Sequence, residues 1–255
     1  MKRMILAGVV ALTAGLAGLL AQTAAAPAAA TGPMPKSPDE LKAVQAIGNA
    51  PTPDEAIKAS EDLLTNYKDT EFKEYAYTME ARAYQQKRDR VNAEVYGERA
   101  LQIDPKAFMM ELLVGEIIAP NIKDHDLDRD QEIAKANHLF TDAIANIQTA
   151  TKPSPQISDK DWDDAKKFAT AQAHNDLGIL DQVQKKWDDA VKEYQMALDG
   201  DPEQDAYATR LANAYVGAGK NDQAIAICDK LLAKPDLNPT IKQVLTSIKT
   251  QATKK

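Results

Sequence analysis

Acidic side chains provide the spacing in this sequence that comes closest to a chemical site. Four of them alternate along one short segment, and they are Asp124, Asp126, Asp128 and Asp130. The first three match positions one, three and five of a calcium-binding loop. Such a loop also needs a glycine at its sixth position and a bidentate glutamate at its twelfth, where this sequence has Arg129 and Lys135. We therefore favour a solvated acidic linker whose last aspartates cap a helix that begins near Gln131.

The other residues that could do chemistry are dispersed along the chain. The three histidines are His125, His138 and His174, and they do not have the spacing of metal ligands. The aspartates of residues 159–164 surround Trp162 and suit the N-terminus of a helix, where the tryptophan is expected to pack rather than bind a ligand. The sequence contains no glycine-rich phosphate loop, nucleophile elbow or cysteine pair. We predict a protein without a catalytic site, a cofactor or a metal ion.

The charge balance argues against one class of partner. The chain has 31 lysines and arginines against 38 aspartates and glutamates, which gives a formal net charge of −7. Its lysines are scattered rather than gathered into a basic stripe, so we predict no binding to nucleic acid. The single cysteine, Cys228, cannot form an internal disulfide. We interpret it as a buried core residue, with a reactive thiol as the alternative.

The first thirty residues have the pattern of a secretory signal peptide. Lys2 and Arg3 form a basic start, residues 4–20 are apolar, and residues 21–30 are mostly small. We expect this segment to be removed and the mature protein to be periplasmic or secreted, with no membrane span after cleavage. The alternative is an uncleaved N-terminal helix that anchors the chain. Beyond it we expect a flexible linker at 31–37 and a single helical domain at 38–255.

The clearest pattern is a repeat in the C-terminal half, where residues 171–202 are followed at once by a second copy at 205–236. Ala190, Tyr194 and Ala197 of the first copy correspond, 34 residues later, to Ala224, Cys228 and Leu231. Steps of four and three residues place each of these trios on one face of a helix. Gly178 is small because two helices of one unit must approach closely, and Pro202 closes the second helix.

This 34-residue period, with small residues at fixed places and a closing proline, resembles the tetratricopeptide repeat. The resemblance implies an all-α, right-handed superhelical solenoid of about five antiparallel helix pairs and a C-terminal capping helix. A third clear copy spans 74–105, and a divergent copy with an insertion spans 106–157. We predict a further helix pair at 38–48 and 54–67, and the capping helix at 239–250.

The divergent copy has its own predicted helices. Its first helix is expected at 106–118, and its second should bury Ala136, Phe140 and Ala143 on one face. The extra length falls in a loop at 119–130 and in a long run from residue 158 into the next copy.

The resemblance also implies a function, that of an exported non-catalytic scaffold that binds a peptide or a partner protein in a concave groove. First-helix positions that line such a groove are Tyr75, Thr78, Arg82, Gln85, Gln172, Asn175, Gln182, Thr209, Arg210 and Asn213. Asn175, Arg210 and Asn213 are similar to part of the clamp that holds a peptide carboxylate in some family members, although the lysines of that clamp have no counterpart. The plainer interpretation of these ten residues is a solvated helix face.

Two other functions stay open from the sequence. One is a structural or accessory subunit of a cell-envelope complex that binds through its convex face or the 119–130 loop. The other, weaker interpretation is an enzyme with a site in that insertion. The sequence does not identify the partner in any of these cases.

Overall fold

The computed structural model describes residues 32–254, which form eleven α-helices and one 3₁₀ turn without any strand. The helices are α1 (Pro38–Gly48), α2 (Pro53–Asn66), α3 (Lys73–Gln86), α4 (Arg90–Ile103), α5 (Phe108–Ile118), α6 (Arg129–Thr149), α7 (Asp159–Val183), α8 (Trp187–Gly200), α9 (Asp205–Gly217), α10 (Asn221–Leu232) and α11 (Pro239–Thr253). The predicted all-α fold class is confirmed. The expected signal peptide lies outside the described residues. Within residues 32–254, no helix is both long and apolar enough to cross a membrane.

Prolines and capping side chains set the starts of several helices. The Ser37 hydroxyl accepts a hydrogen bond of 3.1 Å from the Glu40 amide, and Pro38 follows as the first helical residue. The same arrangement begins α2, where Thr52 caps the helix ahead of Pro53. Asn238 caps α11 in the same way ahead of Pro239. Such a cap stabilises a helix by about 1 kcal/mol, and the helices predicted at 38–48, 54–67 and 239–250 are confirmed.

The chain forms two compact units. Among the described residues, 32–110 and 150–165 form the first unit, and 111–149 and 166–254 form the second.

Small side chains allow close helix contact in the first unit. Ala81 on α3 and Ala93 and Ala100 on α4, all within the copy at 74–105, are completely buried. A larger cluster of Val44, Ile47, Leu63, Phe72 and Ala76 holds α1, α2 and α3 together. Trp162 lies against Phe108 with ring centroids 6.5 Å apart, and its indole N–H donates to the Ala150 carbonyl at 3.3 Å. The expected role of Trp162 in packing is therefore confirmed.

Glycines serve the same purpose in the second unit. A Cβ added to Gly178 would lie 2.6 Å from the Tyr194 ring, and one added to Gly115 would lie 2.4 Å from Phe140. The faces predicted from steps of four and three residues are buried, with Ala190, Tyr194, Ala197, Ala136, Phe140 and Ala143 all fully inaccessible. In each of these two pairs of helices, the glycine of the first helix leaves room for the aromatic ring of the helix that follows.

The C-terminal helix α11 covers the last repeat. Leu245 and Ile248 pack with Ala212, Cys228 and Leu231 in one buried cluster. Cys228 is 0% exposed, so its interpretation as a core residue is confirmed. The neighbouring Val244 lies outside this cluster and is 43% exposed.

The 119–130 segment is more ordered than the expected loop. It begins with the 3₁₀ turn Ala119–Asn121 and ends in α6, which starts at Arg129, two residues before the predicted Gln131. Lys185 contacts Asp124 at 3.3 Å, and Arg129 donates to the Val183 carbonyl at 3.1 Å. The middle and the C-terminal end of this segment are thus held against the end of α7 and the turn that follows it.

Candidate functional site

A pocket of about 360 Å³ in the second unit contains three of the ten residues that the repeat pattern selected. It is lined by Glu116, Ala119, Pro120, Phe140, Gln172, Asn175, Asp176, Ile179 and Arg210. The first helices α5, α7 and α9 supply all of its polar side chains. The predicted residues Gln172, Asn175 and Arg210 are therefore brought together.

Asn175 is the centre of the hydrogen-bond network in this pocket. Its side-chain nitrogen donates to Asp176 Oδ1 at 2.8 Å, and its side-chain oxygen accepts from Arg210 Nη1 at 2.9 Å. Asn175 is only 5% exposed. It is therefore part of a buried network and does not belong to a solvated helix face.

Two carboxyl groups, Glu116 and Asp176, meet at the same place. Gln172 donates a hydrogen bond to Glu116, and the carboxyls of Glu116 and Asp176 line the same pocket. Burial raises the pKa of Glu116, an effect that the bond from Gln172 opposes. Burial and the neighbouring Glu116 hold the pKa of Asp176 well above its usual range, although Asn175 and Arg210 oppose this shift. Because both carboxyls lie in a buried site, each has a raised pKa.

Sequence analysis missed both of these carboxyls. Glu116 lies in α5, whose sequence FMMELLVGEII is otherwise almost entirely apolar. A carboxylate in such a helix is costly to bury unless it has a partner. An acidic residue in an apolar helix could therefore have been recognised from the sequence as a candidate for the site. Asp176 follows Asn175 directly, but the repeat pattern selected only the first of the two.

The first unit has a smaller pocket, of about 240 Å³, that contains three more of the selected residues. It is lined by Glu74, Tyr75, Thr78, Met79, Arg82, Ala107, Phe108, Met109 and Met110. The Thr78 hydroxyl donates to Glu74 at 2.8 Å. Burial raises the pKa of Glu74 and lowers that of Arg82, and their mutual attraction opposes both shifts. One side of this pocket is therefore polar and charged, and the other is made of methionine and phenylalanine.

The four remaining selected residues lie outside both linings. Gln182 accepts a hydrogen bond of 2.6 Å from the buried Tyr194 hydroxyl, and Thr209 donates to the Asp205 carbonyl of its own helix at 2.7 Å. Gln85 is exposed near the end of α3, and Asn213 is half-buried on α9. Gln182 and Thr209 thus have partners within the fold.

The ion pairs of two histidines and the lining of a third pocket do not include any of the ten selected residues. His174 is buried and contacts Glu193 at 2.8 Å, and His138 contacts Asp142 at 3.2 Å. A pocket of about 420 Å³ beside His174 contains none of the ten residues. In the part of the chain that the structure describes, no group of three or more histidine, cysteine, aspartate or glutamate side chains is placed to hold a metal ion.

Comparison with known proteins agrees with the fold and the repeat. Residues 184–248 match the family model described as Tetratricopeptide repeat, whereas no curated protein sequence matches the chain significantly. A solved structure described as TTC0263, a thermophilic TPR protein in Thermus thermophilus, is 16% identical with a TM-score of 0.55, and the match covers 82% of this chain and 97% of that one. The MamA RS-1 ArsTM double mutant is 13% identical with a TM-score of 0.54, and the match covers 85% of this chain and 96% of that one.

These likenesses agree on the fold. The described residues have the fold of tetratricopeptide-repeat proteins, and the sequence signature of the repeat is matched at 184–248. Stacked repeats of this kind form extended surfaces that serve as scaffolds for protein–protein interaction.

Proposed function

We propose that this chain is an exported, non-catalytic scaffold that binds an extended peptide or a segment of a partner protein in a concave groove lined by first helices of its repeats. One observation carries the proposal. Of the ten residues selected by repeat position alone, six line pockets, Tyr75, Thr78 and Arg82 in one and Gln172, Asn175 and Arg210 in the other. Their side chains offer donors and acceptors that suit the amides of an extended backbone.

A second candidate is binding through the 119–130 segment, as an accessory subunit of a cell-envelope complex would use it. Leu127 favours this candidate, because its side chain is completely exposed between Asp126 and Asp128. An exposed leucine of this kind offers an apolar contact to a partner.

Peptide selection tests the two candidates against each other. Peptides that bind the whole protein are first selected from a random displayed library. Their affinities are then measured for the unchanged chain and for Arg82→Ala, Gln172→Ala and Leu127→Ala. The groove proposal expects the first two substitutions to weaken binding and Leu127→Ala to leave it unchanged. The reverse pattern would move the binding site to the 119–130 segment.

Export has its own test. The basic start, apolar run and alanine-rich segment of residues 1–30 support cleavage after Ala28 or Ala30. N-terminal sequencing of the protein recovered from the extracytoplasmic fraction checks this. Recovery of chain with Met1 intact in the membrane fraction would favour the anchored form.

A further inference from the structure

We propose that the pocket around Glu116 and Asp176 binds a cationic side chain of the partner, a lysine or an arginine. This inference rests on the proposed scaffold function and states which type of residue the bound peptide places in this pocket. The carboxyl pair, the apolar lining and the volume of the pocket carry it.

The lining suits a side chain that is apolar along its length and charged at its tip. Ala119, Pro120, Phe140 and Ile179 form the apolar part of the lining. Glu116 and Asp176 form its acidic part. Lysine and arginine bury an aliphatic stem against apolar surface while their charged heads seek polar partners. A volume of about 360 Å³ has room for one such side chain.

The charges in the pocket also favour a cation. Two carboxyls face one guanidinium, that of Arg210, which is already hydrogen-bonded to Asn175 at 2.9 Å. Asp176 Oδ2 is buried and receives no hydrogen bond from any amide, hydroxyl or cationic group of the described residues. A buried carboxylate oxygen without a donor is costly, and an ammonium or guanidinium group brings several donors. Such a group therefore supplies what Asp176 lacks.

A cation should bind more tightly as the pH rises, because the two carboxyls that receive it have raised pKa values. The titratable and charged groups around Asp176 are Glu116 from α5, Tyr194 from α8, and Tyr207 and Arg210 from α9, whereas α6 contributes the uncharged Phe140. Burial raises the pKa of Tyr207 to about 12 and that of Tyr194 further, so both tyrosines are neutral. A bound cation favours the ionised form of both carboxyls, so its affinity should increase as the carboxyls ionise.

Three small probes of equal length test the chemistry directly. n-Pentylammonium, n-pentanol and pentanoate are titrated into the whole protein, and the side-chain amide signals of Gln172 and Asn175 are followed by NMR. The proposal expects saturable shifts with n-pentylammonium that strengthen as the pH rises. Equal shifts with n-pentanol would reduce the site to an apolar cavity. Shifts with pentanoate alone would make Arg210 the binding group, and either result overturns the proposal.

Matched variants assign the effect to the carboxyl pair. Asp176→Asn should weaken n-pentylammonium binding by about tenfold or more, because it removes the charge at nearly constant shape. Asp181→Asn is the control, since it makes the same change on the same helix outside the pocket lining. If Asp176→Asn loses helicity, Glu116→Gln provides the same test. Unchanged n-pentylammonium affinity in a folded variant would contradict the proposal.

The outcomes separate this inference from the proposed function. Selected peptides that depend on Arg82 and Gln172, with no n-pentylammonium binding, would leave the scaffold standing and remove the cation pocket. Saturable n-pentylammonium binding without any selectable peptide would overturn the scaffold, and with it the assignment of the cation to a peptide side chain.

Discussion

The guanidinium of Arg210 donates a hydrogen bond of 2.9 Å to the side-chain oxygen of Asn175, 35 residues earlier in the chain. The two residues lie on α9 and α7, the first helices of successive repeats. The same amide donates to Asp176, so one buried side chain orients both a cation and a carboxyl. The polar network of the pocket is therefore part of the contact between the repeats.

Replacing Asn175 by alanine should destabilise the fold as well as alter the pocket. The substitution removes the hydrogen bonds that Asn175 makes to Arg210 and to the buried Asp176. We expect the free energy of unfolding to fall by about 2 kcal/mol. Urea denaturation followed by circular dichroism measures the change. Asn213→Ala, on a half-buried position of α9, should stay within about 0.5 kcal/mol. Equal unfolding midpoints for the two variants would show that the network contributes no stability.

The repeat pattern predicted helix positions well because local chemistry determines them. Pro38, Pro53 and Pro239 begin helices, and each follows a capping side chain. The helix α7 begins at Asp159, well before the repeat copy at 171–202, and the aspartates of 159–164 rather than the repeat spacing indicated this start. Ser158 caps that start by accepting from the Asp161 amide at 3.1 Å, but its position has no counterpart in the other copies.

The candidate site was predicted only in part, because spacing indicates a helix face and not the partner of each side chain. Asn175 and Arg210 were both selected, yet their hydrogen bond depends on how α7 and α9 pack. Glu116 lies in the divergent copy, where an insertion removes the constant spacing that linked the other copies. Gln182 was placed in the groove by the pattern, whereas the structure pairs it with Tyr194.

Gly178→Ala should destabilise the chain even though alanine favours helix. The new Cβ would lie 2.6 Å from the ring of Tyr194, which is fully buried and held by its hydrogen bond to Gln182. Alanine gains about 1 kcal/mol in helix propensity, and overpacking of a core costs about 1–3 kcal/mol, so we expect a net loss of about 1 kcal/mol. Denaturation of both forms measures it.

A double-mutant cycle checks that the ring is the cause. In a Tyr194→Leu background the added methyl group has space, and Gly178→Ala should become neutral or stabilising. An equal loss in both backgrounds would contradict the steric explanation.

Glu80 should make the chain less stable as the pH rises towards neutrality. Its side chain is 0% exposed, and neither carboxyl oxygen has a hydrogen-bond partner among the described residues. Burial, with help from Glu61 and against the attraction of Arg99, raises the pKa of Glu80 from 4.5 to about 7. Between these values the folded chain holds a proton that the unfolded chain has released, so stability from this group is full below about pH 4.5 and is lost as the pH approaches 7.

The variant Glu80→Gln should remove this dependence. The shift in pKa corresponds to on the order of 3 kcal/mol in the free energy of unfolding. The unchanged chain should lose this stability between about pH 4.5 and about pH 7, and the variant should not. Glu116, Asp176 and other buried acids contribute in both proteins, so the difference between the two profiles isolates Glu80. Denaturation at about pH 4.5 and about pH 7.5 measures it. The exposed Glu55→Gln is the control, and parallel profiles for all three proteins would refute the prediction.

Cys228 should report the docking of the C-terminal helix. It is the only cysteine in the chain, it is 0% exposed, and burial raises the pKa of its thiol, so a thiol reagent should modify it slowly. Leu245 on α11 is equally buried in the same cluster. Leu245→Ala should lower the free energy of unfolding by about 2–5 kcal/mol and make it easier for α11 to open. Each loss of about 1.4 kcal/mol increases the population of the open form about tenfold.

The expected result is an increase of more than about tenfold in the modification rate of Cys228 in Leu245→Ala, measured with a chromogenic disulfide reagent. Val244→Ala is the matched control, because the neighbouring Val244 side chain is 43% exposed and its truncation leaves the cluster intact. Its rate should stay close to that of the unchanged chain. Similar rates for all three proteins would mean that Cys228 is reached through a local fluctuation that does not require α11 to leave the last repeat.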